Sequence, residues 1–232
     1  MQLAFTPKRR RGVEILDDPS VDPAIRARSL GDVARSNKLL GGLRAASATF
    51  TEVLPSLRTD AIVLDVGTGS ADIPERVREI GAANRRTLSV IGVDEAFSLL
   101  VAARPRLDAV VCANALALPF RDHSVDVVMC SQILHHFDDA TADRFLREMN
   151  RVARKTVIVS DLRRSWIAAA GFWLVSFPLR FHRVTRHDGL VSVLRGFTAD
   201  DLRRLVQRAT GVRPVVERRL GWRLTARWTP AS

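Results

Sequence analysis

The stretch of sequence that decides the fold is Ile62–Asp72, which reads Ile-Val-Leu-Asp-Val-Gly-Thr-Gly-Ser-Ala-Asp. It opens with a short, mainly apolar run, which is typical of a buried strand. A Gly-Thr-Gly turn follows, and a helical pattern starts at Asp72. Glycine adopts positive φ without strain and lets a ligand approach the backbone closely. We therefore predict a strand, a ligand-binding turn and a helix in immediate succession.

Apolar runs and amphipathic helical patterns alternate beyond this stretch. Further buried strands are predicted at residues 88–93, 109–112, 125–130 and 156–160. Such alternation requires a parallel sheet covered by helices on both faces. Near the C-terminus, residues 215–219 and 223–228 predict two closing strands, the only pair that could form an antiparallel hairpin. The sequence therefore predicts an α/β fold with a parallel sheet and a C-terminal antiparallel strand pair.

Helical patterns also precede the sheet and interrupt it late in the chain. Residues 1–57 are predicted to form a tail and a helical cover, and residues 58–232 to form the α/β domain. Residues 162–197 separate the fifth strand from the next helix, where a few residues would suffice. We predict a helical cap in this insertion. The residues expected to line a substrate pocket are Asp161, Trp166, Phe172, Trp173 and Phe177.

Two alternatives for the insertion stay open. It could pack on the sheet in a purely structural role, or its apolar surface could contact a membrane and collect a lipid-like substrate. Its most apolar stretch, residues 166–179, has 14 residues, whereas a transmembrane helix needs roughly 20. Residues 1–6 are too short an apolar run for a signal peptide. We therefore expect a cytoplasmic protein without a transmembrane segment.

The net charge of +11 raises the question of a nucleic-acid partner. Only three of the 36 basic residues are lysine, and the one dense basic run is Lys8–Arg11. Nucleic-acid surfaces usually add aromatic stacking platforms or a recognisable binding module, and neither is visible. We expect no nucleic-acid partner.

The two cysteines, Cys112 and Cys130, lie in apolar runs, which excludes a disulfide framework and predicts small core residues.

Acidic residues around the Gly-Thr-Gly turn indicate the charge of its ligand. A dinucleotide-binding fingerprint has Gly or Ala where this chain has Asp72, and Asp65 precedes the turn. Two carboxylates would repel a diphosphate, whereas they suit a ligand with a cationic ammonium group. NAD is therefore disfavoured. Asp94, at the end of the second predicted strand, can accept hydrogen bonds from both hydroxyls of a ribose.

Several motifs in residues 60–161 together resemble a known family. They are Leu64–Gly69, Gly92–Asp94, Ala117–Phe120, Ser124–Val128 and Ser131–Phe137. They resemble class I S-adenosylmethionine-dependent methyltransferases, especially the type 11 small-molecule branch, which implies a Rossmann-like sheet and S-adenosylmethionine as cofactor. The resemblance implies that Asp65 and the turn hold the methionine end and that Asp94 holds the ribose. The other cofactor-binding positions that it implies are Gly67, Thr68, Gly69, Glu95, Asn114, Ala115, Ser131 and Asn37.

One of these positions departs from the family pattern. Asn114 stands where the family often has an acid that accepts from the adenine amino group. The amide oxygen of asparagine can accept the same hydrogen bond. The segment Asn37–Gly42 resembles one that covers the cofactor in a subset of the family, although an ordinary helix stop would look the same.

The resemblance implies methyl transfer to a small, largely apolar acceptor of a phenolic, polyketide or quinone-like kind, by O- or C-methylation. Two alternatives remain: an RNA or other nucleic-acid methyltransferase, and a cofactor-binding partner without catalysis, because binding motifs do not prove turnover. The oligomeric state is not predicted.

His135 and His136 are the candidate general bases, since they follow the fourth strand at the sheet edge where ligands of open α/β folds bind. Adjacent residues on a helix diverge by about 100°. We therefore expect one histidine to face the acceptor and the other to pack near the cofactor or the core, with His136 slightly favoured as the base. Simple pocket packing is the alternative. No metal-ligand cluster is predicted.

Overall fold

A computed structural model describes residues 6–10, 12–18 and 20–231 of the chain. Residues 1–5, on which the signal-peptide argument mainly rests, lie outside the described residues, as does Arg11 of the basic run. Among the described residues, no helix is both long enough and apolar enough to cross a membrane.

The described residues form a seven-stranded sheet in the order β3-β2-β1-β4-β5-β7-β6. The strands are β1 Ile62–Val66, β2 Ser89–Asp94, β3 Ala109–Cys112, β4 Val125–Ser131, β5 Ala153–Leu162, β6 Val215–Arg219 and β7 Arg223–Trp228. Strands β1 to β5 pair in parallel, while β7 is antiparallel to both β5 and β6. The predicted fold class is confirmed. Because the parallel strands share a direction, the residues after β1, β2, β3 and β4 meet at one edge of the sheet.

Helices cover both faces of the sheet, as a largely buried parallel sheet requires. They are α1 Pro23–Leu39, α2 Gly42–Val53, α3 Asp72–Ala83, α4 Phe97–Ala103, α5 Asp139–Val152, α6 Trp166–Ser176, α7 Arg183–Arg195 and α8 Ala199–Thr210. One core lies between the sheet and α5 and α8, and includes Phe145 and Leu202. The other lies between the sheet and α2, α3 and α4, and includes Phe50 and Val77.

The insertion after β5 forms two helices, α6 and α7, which pack against each other through Ala168, Ala169 and Val193. Helix α1 joins them through its buried Asp32. The Asp32 carboxylate accepts hydrogen bonds from the His182 N–H at 2.7 Å and from the Thr185 hydroxyl at 3.2 Å. Residues ahead of the sheet and residues of the insertion therefore form one layer beyond the sheet edge.

Residues 12–18, called the N-terminal segment below, lie against this layer. The Asp188 carboxylate on α7 accepts hydrogen bonds from the Ile15 and Leu16 N–H groups at 2.8 and 2.9 Å. Since Asp188 is buried, these bonds fix the backbone of the segment to the insertion.

The turn between α1 and α2 meets the turn between β6 and β7 at a close backbone approach. A Cβ on Gly41 would lie 2.8 Å from the Leu220 carbonyl oxygen, and one on Gly221 would clash with the carbonyl oxygen of Leu40. Both glycines also have positive φ. Only glycine fits at either position, and the contact joins the helices ahead of the sheet to its last hairpin.

The cysteines differ in environment. Cys130 is buried in β4, as predicted, but Cys112 is exposed. The prediction of a core position for Cys112 is wrong because β3 is the edge strand of the sheet, and an apolar run does not by itself distinguish edge from centre.

Candidate functional site

The turn after β1 is bound to the end of β2. The N–H groups of Gly67 and Thr68 donate to the Val93 carbonyl at 2.8 and 3.0 Å, and the Gly69 N–H donates to Asp94 Oδ2 at 2.9 Å. Both glycines have positive φ, 74° and 52°. A Cβ added to Gly69 would meet nothing within 4 Å. The turn therefore presents open backbone surface of the kind that a ligand can approach.

Asp65 lies beneath this turn as a buried carboxylate. It is 2% exposed, and its Oδ1 has no hydrogen-bond partner. Burial raises the pKa of Asp65 to about 7, and the nearby charge of Asp94 acts in the same direction. A buried carboxylate beside a second carboxylate is costly unless a cation compensates it. The site therefore suits a ligand with a positive charge and disfavours a diphosphate.

The other predicted cofactor positions follow the neighbouring strands. Asp94 Oδ1 accepts from the Ala96 N–H at 2.9 Å, and ionised carboxylate oxygens keep lone pairs for further donors. Asn114 lies just beyond β3, where its Oδ1 accepts from the Leu116 N–H at 2.7 Å. Ser131 ends β4, and its buried hydroxyl has no partner. Glu95 is exposed and Ala115 is half-buried. All these positions lie at the carboxyl edge of the sheet.

Asn37 lines a cavity beside this group. Gln132, directly after β4, donates from Nε2 to Asn37 Oδ1 at 2.6 Å, and Arg223 Nη1 donates to Gln132 Oε1 at 3.0 Å. Gln132 has a φ of 58°, which is strained for a residue other than glycine. This chain of hydrogen bonds links α1, β4 and β7.

A cavity of about 650 Å³ opens on this chain of hydrogen bonds. Its walls come from the N-terminal segment, α1, the residues after β4, the two helices of the insertion and the turn between β6 and β7. Apolar lining residues include Leu16, Leu30, Val33, Phe172, Val193 and Leu220. The volume lies within the range of small-molecule pockets, which are mostly apolar with a few placed polar groups.

His135 is one of the buried polar residues of the cavity wall, with 4% of its surface exposed. Its Nδ1 lies 2.7 Å from Asp161 Oδ1, and its Nε2 is buried without a hydrogen-bond partner. Burial alone would raise the pKa of Asp161, but the adjacent His135 and hydrogen bonds from the His135 ring and the Leu162 N–H hold it below its usual value. The ionised Asp161 accepts a hydrogen bond from His135 Nδ1–H, so Nε2 is the ring nitrogen left without a partner.

His136 faces the same cavity but has a different environment. Burial, followed by the neighbouring His135, lowers the pKa of His136 to about 4. The ring is therefore neutral near pH 7, and its Nδ1 lies 3.5 Å from the Arg195 guanidinium. A base with so low a pKa accepts a proton weakly.

The expectation that the two histidines diverge is wrong. Their ring centroids are 4.3 Å apart, and both His135 Nε2 and His136 Nδ1 lie 4.0 Å from Glu14 Oε1. Residues 134–136 form a single 3₁₀ turn instead of the start of an α-helix. In this short turn the two rings lie close to each other and to Glu14.

Glu14, His135 and His136 form a group that could hold a metal ion, with potential ligand atoms all within 4.8 Å of one another. Arg195 already supplies a positive charge there, since its Nη1 donates to Glu14 Oε1 at 3.0 Å. The Ser192 hydroxyl donates to the same oxygen at 2.7 Å. Burial raises the pKa of Glu14. A guanidinium in contact with the group opposes a second cation, so the arrangement fits proton exchange better than metal binding.

Of the four aromatic residues predicted to line the substrate pocket, the cavity wall contains Phe172. Trp166, Trp173 and Phe177 are exposed on the opposite side of α6. The expectation that they line this cavity is therefore not met. Helix α6 is apolar on every side, so its sequence carries no information about which side faces inward.

Several site residues were missed by sequence reasoning: Glu14, Gln132, Asp188, Arg195 and Arg223. Arg223 is 3% exposed, and burial lowers its pKa to about 10. Its Nε has no hydrogen-bond partner. The one available signal for Arg223 was that it is a charged residue inside a predicted strand. Glu14 carried no signal, because nothing local connects it to residues more than a hundred positions away.

Comparison with known proteins gives one family match and partial relatives. A family model described as a methyltransferase domain matches residues 64–160. An uncharacterised methyltransferase of Schizosaccharomyces pombe is 30% identical over 111 residues, which are 47% of this chain and 42% of that protein. The biotin biosynthesis bifunctional protein BioHC of Cellvibrio japonicus is 30% identical over 139 residues, 58% of this chain and 26% of that protein. The chain thus spans less than half the length of these curated relatives.

Solved structures extend the likeness in fold to most of the chain. A SAM-dependent methyltransferase from Aquifex aeolicus superposes with a TM-score of 0.61 and 15% identity, covering 91% of this chain and 100% of the other. At that identity the match concerns the fold, and it includes helices outside residues 64–160.

Proposed function

We propose that the protein is a class I S-adenosylmethionine-dependent methyltransferase of the type 11 branch, and that it methylates an acidic hydroxyl or enol of a small, largely apolar acceptor. The match of residues 64–160 to the methyltransferase-domain family model supports the first part of this proposal. The observation that carries the proposal is His135, which lines the 650 Å³ cavity and is hydrogen-bonded to the fully buried Asp161. Asp161, which the sequence placed in the pocket lining, is not itself a lining residue. A phenol or enol must lose a proton as it is methylated, and this pair is built to take one.

The residues around the turn after β1 fit the cofactor. When bound, S-adenosylmethionine supplies an electrophilic methyl group on a cationic sulfonium. Asp65, with its unpartnered buried oxygen, would face the positively charged methionine end. Asp94 would accept from the ribose hydroxyls with the lone pairs that the Gly69 and Ala96 N–H groups leave free. Asn114 and Ser131 would complete the site along the same edge.

His135 would act as the general base. The acceptor O–H bond would break and its proton would pass to Nε2. The oxygen or enol carbon would bond to the methyl group that the bound cofactor supplies, while the methyl–sulfur bond breaks and leaves a neutral thioether. Asp161 positions the ring through Nδ1–H and stabilises the imidazolium that forms. Glu14 lies 4.0 Å from Nε2, too far for a hydrogen bond, which leaves Nε2 available to the acceptor. The geometry favours His135 over His136, which the sequence had favoured slightly.

Arg223 would set the preference for an acidic acceptor. It is a buried cation that lines the cavity, held by Gln132 with one N–H direction unpartnered. An acceptor oxygen that gains negative charge as its proton leaves would be stabilised by this charge. The apolar wall would bind the remainder of the molecule, as expected for a phenolic, polyketide or quinone-like compound.

The test is a product screen with purified protein and S-adenosylmethionine. A panel of apolar phenols and enolic polyketide analogues is incubated beside the corresponding methyl ethers, whose hydroxyl is already blocked. Mass spectrometry should detect the gain of one CH₂ for the free hydroxyl or enol compounds only. RNA is added to the same panel as a further possible acceptor. Methylation of RNA alone, or cofactor binding without methylation of any compound, would contradict the proposal.

A further inference from the structure

Helix α6 has two apolar faces, and only one of them is used by the cavity. Ala168, Phe172 and Val175 line the cavity. The opposite face exposes large side chains to solvent: Trp166, Ile167, Trp173, Leu174 and Phe177. Leu174 is 62% exposed and Trp173 46% exposed. A helix that is apolar all round is normally buried on all sides, but the described part of the chain does not cover the outer face of α6.

The length of α6 determines whether it could cross a lipid bilayer or only lie at its surface. Its 11 residues span about 16 Å, roughly half of the hydrocarbon thickness of a bilayer. It cannot cross a membrane, but it can lie in the interface with one face in the acyl region. Tryptophan side chains, of which this face has two, are enriched at membrane interfaces.

The charges around α6 indicate the kind of surface. Between Asp161 and Asp188 the sequence has no acidic residue. Three exposed or half-exposed arginines follow the helix: Arg180, Arg183 and Arg186. Arg186 lies over the Phe177 ring at 4.5 Å, and Arg10 lies over the Trp166 ring at 5.4 Å. Basic groups thus stand at both ends of the exposed apolar face, as anionic lipid headgroups would require.

We propose that the outer face of α6, with Arg10, Arg180, Arg183 and Arg186, docks on an anionic membrane surface. The apolar face enters the interface and the arginines contact the lipid phosphates. Docking itself does not depend on methyl transfer. Docking would also allow a lipid-soluble acceptor to reach the cavity from the membrane past α6. This consequence rests on the proposed function.

A second copy of this chain is the competing occupant of the same face. A symmetric dimer presents the same patch from both subunits. Two such patches would bring arginines from both copies together with no acidic residue between Asp161 and Asp188 to pair with them. This repulsion favours the membrane over the dimer.

Vesicle flotation tests the proposal without cofactor or acceptor, so its outcome is independent of methyl transfer. The vesicles are phosphatidylcholine alone and an equimolar mixture with phosphatidylglycerol. The protein should float with the mixed vesicles, and less so at high salt or with phosphatidylcholine alone. The double variant Trp173→Ser/Leu174→Ser should reduce the bound fraction about tenfold or more. Arg180→Glu/Arg183→Glu should abolish the preference for phosphatidylglycerol.

The matched control is Val101→Ser/Val215→Ser, which removes exposed apolar side chains from α4 and β6 and should bind as the parent does. Circular dichroism and thermal melting establish that all variants are folded. Failure of the parent to float, or equal flotation of the Trp173→Ser/Leu174→Ser variant, would overturn the proposal. A dimer in light scattering that this variant converts to a monomer would overturn it in favour of the second copy.

Discussion

His135 Nδ1 and Asp161 Oδ1 lie 2.7 Å apart, and both side chains are buried, with 3% and 0% of the side-chain surface exposed. Asp161 also accepts the backbone N–H groups of His135 and Leu162. These bonds keep the carboxylate ionised and in place, so the imidazole is held in one orientation with Nδ1–H directed at Asp161. The unpartnered Nε2 of this buried, oriented imidazole is the group in the cavity best suited to accept a proton.

The first prediction separates the two histidines. His135→Gln should lower the single-turnover rate with a phenolic acceptor by about 10²–10⁴, the usual contribution of a positioned base. His136→Gln should change this rate less than about tenfold, because the His136 ring is a weak base. Rapid-quench measurement with saturating S-adenosylmethionine provides the comparison. Near-parental rates in both variants would mean that catalysis relies on proximity alone.

The second prediction concerns the positioning role of Asp161. In Asp161→Asn the amide can donate to Nδ1, which moves the ring proton to Nε2 and removes the base. We expect kcat to fall at least about a hundredfold, with little change in the KM of the acceptor. Thermal melting is the necessary companion measurement, since Asp161 also holds two backbone N–H groups. A change confined to KM would contradict this role.

The third prediction follows from the raised pKa of Asp65. A cationic ligand binds the ionised carboxylate, whereas the free protein protonates Asp65 as the pH falls through about 7. The Kd of S-adenosylmethionine should therefore be nearly constant above about pH 8 and rise, by up to about tenfold per pH unit, below pH 7. Titration calorimetry across this pH range measures how the Kd of S-adenosylmethionine depends on pH. Asp65→Asn should flatten this pH dependence, and Glu79→Gln, a change at an exposed acid of α3 that is paired with Arg76, should leave it intact.

The fourth prediction uses two glycines with similar backbones. Gly69 and Gly211 both have positive φ, and an added Cβ meets nothing within 4 Å at either position. Alanine at each should cost about 1–2 kcal/mol in unfolding free energy, because left-handed backbone disfavours a Cβ. Only Gly69→Ala should also weaken S-adenosylmethionine binding, since that Cβ would stand where the ligand approaches. Equal affinity in the two variants would place the cofactor elsewhere.

The fifth prediction concerns the N-terminal segment. Asp188→Ala removes the acceptor of the Ile15 and Leu16 N–H groups and should release the segment from α7. The KM of the acceptor should rise about tenfold, which corresponds to the loss of one or two hydrogen bonds. Trypsin should also cleave faster at Arg9 and Arg10. Asp200→Ala, which breaks an exposed ion pair with Arg203 on α8, is the control and should change neither measurement.

The sequence alone determined the sheet, the turn after β1 and the edge at which the cofactor residues meet. These features depend on local periodicity and on glycine conformation, which a short stretch such as Ile62–Asp72 expresses without help from the remaining chain. The direction of parallel strands then places Asp65, Asp94 and Asn114 along one edge, whatever packs around them.

Tertiary structure alone decided which histidine is oriented and what surrounds it. Asp161 is 26 residues from His135, and Glu14 meets Arg195 across 181 residues. Such contacts form only when separate elements pack, so no local pattern encodes them. The inward face of α6 was equally undetermined, because a helix that is apolar on every side has no periodicity to read. Packing placed Phe172 in the cavity and left Trp173 outside it, since α7 and the cavity occupy one side of the helix and solvent the other.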